Sequence, residues 1–180
     1  LEKLSAETGE TTNLSVLEGP EIIYVCRVNT RRILPYDIRL GTTLPVHCTS
    51  MGKALLAFRS AGKIESVLDT LDLVALTHNT ITSREMYRKE LETVRAKGYA
   101  VNDEELSVGL RSVAAPVLDS RGWSMAALNI AVSTTRMSRE RLESDLAPLV
   151  MRTAREIEAA MFFLDEEGLN DKNKDSKNTV

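Results

Sequence analysis

An α+β fold built on a largely antiparallel sheet is predicted by two tight-turn tetrads between strand-like runs and by strands and helices that follow one another in blocks. The tetrads are Glu18-Gly19-Pro20-Glu21 and Asp119-Ser120-Arg121-Gly122. The blocks run strands, helices, helix, strands, helix. Leu14 to Leu17 and Ile22 to Val28 flank the first tetrad and read as a hairpin over 11–28. Pro35 and the Leu40-Gly41 step punctuate a second extended stretch. From Ser50 the spacing of Ala54, Leu55 and Phe58 turns helical, predicting a short helix over about 50–59, with another over Ile64 to Leu71.

Thr82-Ser83-Arg84-Glu85 has capping-box spacing, in which the Thr82 hydroxyl and the Glu85 carboxylate each satisfy a first-turn amide. The helix it opens runs over about 83–97: Tyr87, Leu91 and Val94 share one face and Gly98 supplies the stop. Three strands follow, at Tyr99 to Asn102, Leu110 to Leu118 and Ser124 to Val132, and the second tetrad pairs the last two antiparallel. Ser138 is the N-cap expected for a long helix whose stripe is Leu142, Leu146, Leu149, Thr153, Ile157, Ala160 and Leu164. Pro148 should kink or divide it. Residues 165–180 carry eight charges and two large aliphatics, too little apolar surface to offset the entropy of order, which predicts a disordered tail after a folded domain over 1–164. No repeat with a period of 20 to 50 residues is visible.

The chain has 180 residues, 43% apolar and 27% charged, the composition of one globular domain. With 23 Lys+Arg against 26 Asp+Glu the net charge is -3, a poor match to DNA or to an anionic membrane. Cys26 and Cys48 lack metal-ligand spacing and read as free thiols in a reducing cytoplasm. No apolar run reaches the length of a membrane helix and no signal peptide opens the chain. Leu1 is read as an internal position of a longer protein.

Catalytic patterns are weak. His47 and Cys48 are neighbours on an extended chain and point to opposite faces, and His78 lies in the polar loop Thr77-His78-Asn79-Thr80. Glu104-Glu105 and Glu166-Glu167 read as surface charge. No catalytic residue, metal ligand or cofactor motif is assigned.

Two segments suit a ligand. In Gly41 to Ala57, small and hydroxylic residues lead into a helix, so the unpaired amides of Ser50, Met51 and Gly52 could cradle a carboxylate, with Lys53 as a countercharge. An ordinary capped helix start and a solvated lysine explain the same residues. Along Leu110 to Val117, alternation puts Arg111, Val113 and Ala115 on one face and Ser112, Ala114 and Pro116 on the other. That second face is small for a strand, and Ala126, Ala127, Asn129 and Ala131 repeat the pattern on the next. Space beside hydroxyls suits a small polar ligand, while tight packing against a helix is the alternative.

LPVHCTSMGKALLA, followed about 40 residues later by GYAVNDEELSVGLRSVAAPVLDSRG, resembles the effector-binding domain of the isocitrate-lyase-regulator (IclR) family of bacterial transcription factors over about residues 1–164. Gly98, Glu105, Ser112 and Asp119 match the family signature; Asn102 replaces its acidic or hydroxylic residue and Leu118 an aromatic or His. RLGTTLPVHCTSMGKALLA and SVAAPVLDSRGWSMAALNIAVS are most similar to the branch that senses aromatic-acid catabolites.

The resemblance implies a GAF-like fold, no enzymatic activity, and a ligand-sensing role. The effector is then a small carboxylate such as protocatechuate, p-hydroxybenzoate or β-ketoadipate. DNA is contacted only through an N-terminal winged helix-turn-helix absent from this chain, and the regulator is a homodimer or homotetramer. Carried over by position, the effector contacts are Ser50, Met51, Gly52, Asn102, Ser112, Ala114, Asn129 and Ala131. A ligand-independent oligomerisation module or a small enzyme are the alternatives.

Overall fold

The computed structural model describes residues 1–30 and 38–175, those from 163 onward as backbone only. Pro35 and most of the second extended stretch lie outside the described residues, as does the end of the tail. Among the described residues the strands are β1 (Thr11–Glu18), β2 (Glu21–Val28), β3 (Thr43–Pro45), β4 (Ala100–Asp103), β5 (Leu110–Leu118) and β6 (Ser124–Ser133). They form one sheet in the order β3-β2-β1-β6-β5-β4, with every neighbouring pair antiparallel. The predicted α+β class and both hairpins are therefore present. Each hairpin closes locally, but β1 meets β6 only through contacts more than 100 residues apart.

Helices cover both faces. α2 (Ser50–Ala57) and α4 (Arg84–Lys97) lie on one side, with α3 (Ala61–Thr70) beside them; α1 (Glu2–Thr8) and α6 (Ala147–Asp175) lie on the other. Alternation along β5 and β6 sorts their side chains as the sequence predicts. Val113, Val117, Leu128, Ile130 and Val132 pack with Leu142, Leu146 and Val150 under α6. Ser112, Ala114, Asn129 and Ala131 face α2, opposite one another in register. One face of the sheet thus packs branched side chains, and the other presents small and polar ones to α2.

Several local expectations shift. α1 was not legible as a helix, and Gly9 ends it in the left-handed region at φ 66°. α4 is capped by Ser83, not Thr82: Ser83 is the last extended residue, so its Oγ and not that of Thr82 accepts the Met86 amide. Pro148 does not stop the last helix, and the expected division falls just ahead of it. The turn ahead of it, Leu142–Leu146, widens to π geometry after the short α5 (Arg139–Arg141), which accommodates a residue that donates no amide and crowds the carbonyl four back. The described backbone of α6 runs to Asp175.

Candidate functional site: a polar-lined cavity between the sheet and helix α2

Thr49 ends the extended chain at φ -121°, ψ 139° and caps α2. Its Oγ1 accepts the Gly52 amide at 3.2 Å and donates to Pro45 O at 2.9 Å. The Gly52 amide is therefore taken. A Cβ on Gly52 would lie 2.4 Å from both Cα and O of Val46, so this glycine is required by backbone approach. The Met51 side chain is fully buried and its Sδ accepts from Ser15 Oγ at 3.3 Å. Of the predicted three-amide cradle, only the Ser50 and Met51 amides are left without a partner among the described residues.

The helix start borders a cavity of about 20 Å³, room for about one water molecule, so its walls must part to admit a larger ligand. Five of the eight predicted contacts line it: Ser50, Asn102, Ser112, Asn129 and Ala131. Met51 and Gly52 do not, and Ala114 packs into the core beneath α2. Sequence reasoning missed Asn13, Tyr24 and Arg27 on β1 and β2, and the apolar side chains of Ile38, Leu106 and Leu110.

Its polar walls are closed upon one another. Ser50 Oγ and Ser112 Oγ lie 2.7 Å apart. Arg27 Nη1 donates to Asn13 Oδ1 at 2.7 Å, and Asn13 Nδ2 donates to Asn129 Oδ1 at 2.7 Å. Arg27, Asn13 and Asn129 are register partners across β2, β1 and β6, so they form a row. Asn102, Ser112 and Ala131 form a second row across β4, β5 and β6. Two residues separate the rows along β6, which places them about 7 Å apart. Asn102 is buried and its Oδ1 accepts the Glu105 amide at 2.8 Å, leaving Nδ2 with no partner among the described residues.

Lys53 is not a countercharge in the cavity. It is 1% exposed and its Nζ sits 2.6 Å from Glu105 Oε1 and 3.0 Å from Glu90 Oε1. Glu105, expected at the surface, is buried with it. Burial pushes the Glu105 carboxyl up from its usual range while Lys53 pulls it down. Because Asn102 holds the Glu105 amide and Glu105 holds α2 through Lys53, this ion pair positions the helix whose first turn lines the cavity.

The neighbouring nucleophile candidates are inert. Burial pushes the Cys48 thiol up to about 12, so no thiolate forms near neutrality. His47 is buried, which lowers its pKa, and its Nε2 lies 3.1 Å from Val74 O. A carbonyl only accepts, so Nε2 carries a proton. His47 Nδ1 is buried and unpartnered among the described residues. Among the described residues, no group of three or more His, Cys, Asp or Glu could hold a metal ion and no helix is long and apolar enough to cross a membrane.

Residues 1–159 match the family model described as bacterial transcriptional regulator IclR C-terminal. The chain belongs to the IclR family. It corresponds to the effector-binding domain of those regulators, which are not enzymes. Among its relatives, the Pca regulon regulatory protein of Pseudomonas putida is 36% identical over 158 residues, covering 87% of this chain and 54% of that protein. The chain thus spans about half the length of such curated relatives. The Thermotoga maritima IclR structure superposes with a TM-score of 0.84 at 31% identity, covering 89% of this chain and 64% of that one. The inducer-binding domain of the Acinetobacter PobR transcription factor, a double mutant in complex with 3-hydroxybenzoic acid, gives 0.80 at 33% identity, covering 88% and 93%.

Proposed function

We propose that this domain senses a small carboxylic acid from aromatic catabolism, such as protocatechuate, p-hydroxybenzoate or β-ketoadipate, and transmits occupancy to a DNA-binding segment preceding Leu1. The observation that carries the proposal is the pair of polar rows about 7 Å apart in one cavity that Ile38, Leu106 and Leu110 also line. Arg27 supplies the positive end. Ser50, Ser112 and the Ser50 amide supply neutral hydrogen bonds at the other. A planar hydroxy acid, or a keto acid of similar length, meets both ends at once. A three-carbon acid meets one. The complex of the PobR domain with an aromatic hydroxy acid supports the same class.

Binding exchanges protein–protein hydrogen bonds for protein–ligand ones, because the Ser50–Ser112 and Asn13–Asn129 contacts must part to admit the acid. Asn13 lines the cavity on one side of β1, and the adjacent Thr12 donates to the Leu1 carbonyl at 3.4 Å on the other. A shift of β1 therefore reaches the N-terminal end through one residue. Only a difference in affinity between two poses of that end yields a signal. The regulator is expected to work as a dimer or tetramer, which sedimentation checks.

Thermal-shift titration with protocatechuate, p-hydroxybenzoate, β-ketoadipate and pyruvate tests the proposal. Pyruvate should stabilise least. A stronger response to pyruvate than to the longer acids would overturn it.

A further inference from the structure

We propose that Arg27, set on the cavity face by a one-residue bulge at Val25, makes this cavity selective for acids, an inference that rests on the cavity being the effector site. β1 and β2 pair in step from Leu17↔Ile22 to Ser15↔Tyr24 and again from Leu14↔Cys26 to Thr12↔Val28, with Val25 unmatched between the two runs. Strict alternation from Tyr24 would send Cys26 and Val28 to the cavity face and Arg27 to the face under α1 and α6. The extra residue reverses that parity. Tyr24 and Arg27, three positions apart, both line the cavity, while Cys26 sits opposite Leu14, which packs on the α6 side.

Val25 is 45% exposed, so the bulge adds nothing to the core. What it does is re-aim a cation, the use to which bulges beside sites are suited. The guanidinium then stands at the head of the Arg27, Asn13, Asn129 row, where each donor is oriented by the next. Asn129 Nδ2 has no partner among the described residues and can donate alongside Arg27. This assigns the carboxylate to the β2 and β1 end of the cavity and the neutral oxygen of the effector to Ser50 and Ser112.

Calorimetric titration of this chain with p-hydroxybenzoate and with its uncharged counterpart p-hydroxybenzamide tests the assignment. The parent should prefer the acid by at least about tenfold. The paired exchange Cys26→Arg with Arg27→Cys keeps the composition but turns the guanidinium away. It should weaken acid binding by about ten- to a hundredfold, with the amide far less affected. Deleting Val25 should preserve the preference, since the regular ladder still sets Tyr24 opposite Ser15 and Arg27 opposite Asn13. If the exchanged chain does not fold, Arg27→Met replaces it with the same expectation.

A retained acid preference in the exchanged chain or in Arg27→Met overturns the proposal, as does its loss in a folded chain lacking Val25. A parent that binds both probes equally also overturns it while leaving the cavity as the site. A parent that binds neither removes the site assignment itself.

Discussion

Replacing Lys53 with methionine keeps the length and apolar stem of the side chain and removes one charge from a buried pair. Lys53 is 1% exposed, its ammonium lies 2.6 Å from Glu105 Oε1, and Glu105 Oε2 is already buried without a partner among the described residues. The variant therefore leaves a carboxylate with neither water nor cation, a loss of about 3–5 kcal/mol. For a domain of this size each kcal/mol lowers Tm by about 2–4 °C, so the melt should fall by roughly 6–20 °C.

The pH dependence has a definite sign. Burial raises the folded pKa of Glu105 above the unfolded value, and removing Lys53 raises it further. Such a group favours folding most below its unfolded pKa, near 4.3, and that advantage disappears as pH rises through the folded pKa. The gap between Lys53→Met and the parent should thus be smaller at pH 5 than at pH 7.5. Adding Glu105→Leu should recover most of the lost stability, because an apolar pair replaces an ionic one at little net cost. Denaturant melts at both pH values measure this. A Lys53→Met chain within about 1 kcal/mol of the parent, or a double variant no better than the single, would refute the reasoning.

Gly52→Ala should lower stability by about 3 kcal/mol, since the new methyl meets the Val46 backbone, which has no side-chain rotamer to yield; an unchanged melt would return Gly52 to the ligand. Ser112→Leu fills the cavity and removes the partner of the Ser50 hydroxyl, so p-hydroxybenzoate affinity should fall at least about tenfold in a chain that still folds, as calorimetry with circular dichroism would show. Burial opposes ionisation of Glu143, yet hydrogen bonds from Tyr99, Arg139 and Lys97 hold its pKa at about 2. Its stabilisation is present above the unfolded carboxyl pKa and lost as pH falls toward 2, so Glu143→Gln should differ from the parent by about 1 kcal/mol at pH 7 and converge with it in acid melts near pH 2.

Local chemistry made much of this protein legible from its sequence. Turn tetrads, capping residues and apolar periods act over a few positions, so both hairpins, α4 and the small-residue face of β5 and β6 could be placed from neighbours alone. Those patterns reached Ser50, Ser112, Asn129 and Ala131, the family motifs added Asn102, and the cavity gathers these five. Met51 and Gly52 share their helix start, but burial beneath β1 and contact with Val46 give them packing roles that no local pattern reveals.

The charged parts of the site were decided by the tertiary structure. Lys53 and Glu105 each resemble surface residues in their own segments, and only the packing of α2 against the turn after β4 buries them together. Asn13 meets Asn129 across 116 residues of chain, and the register that joins β1 to β6 follows from the whole sheet. Arg27 was hidden for a further reason. Alternation assigns it to the wrong face, and the single unmatched residue that corrects the parity exists only where two strands pair.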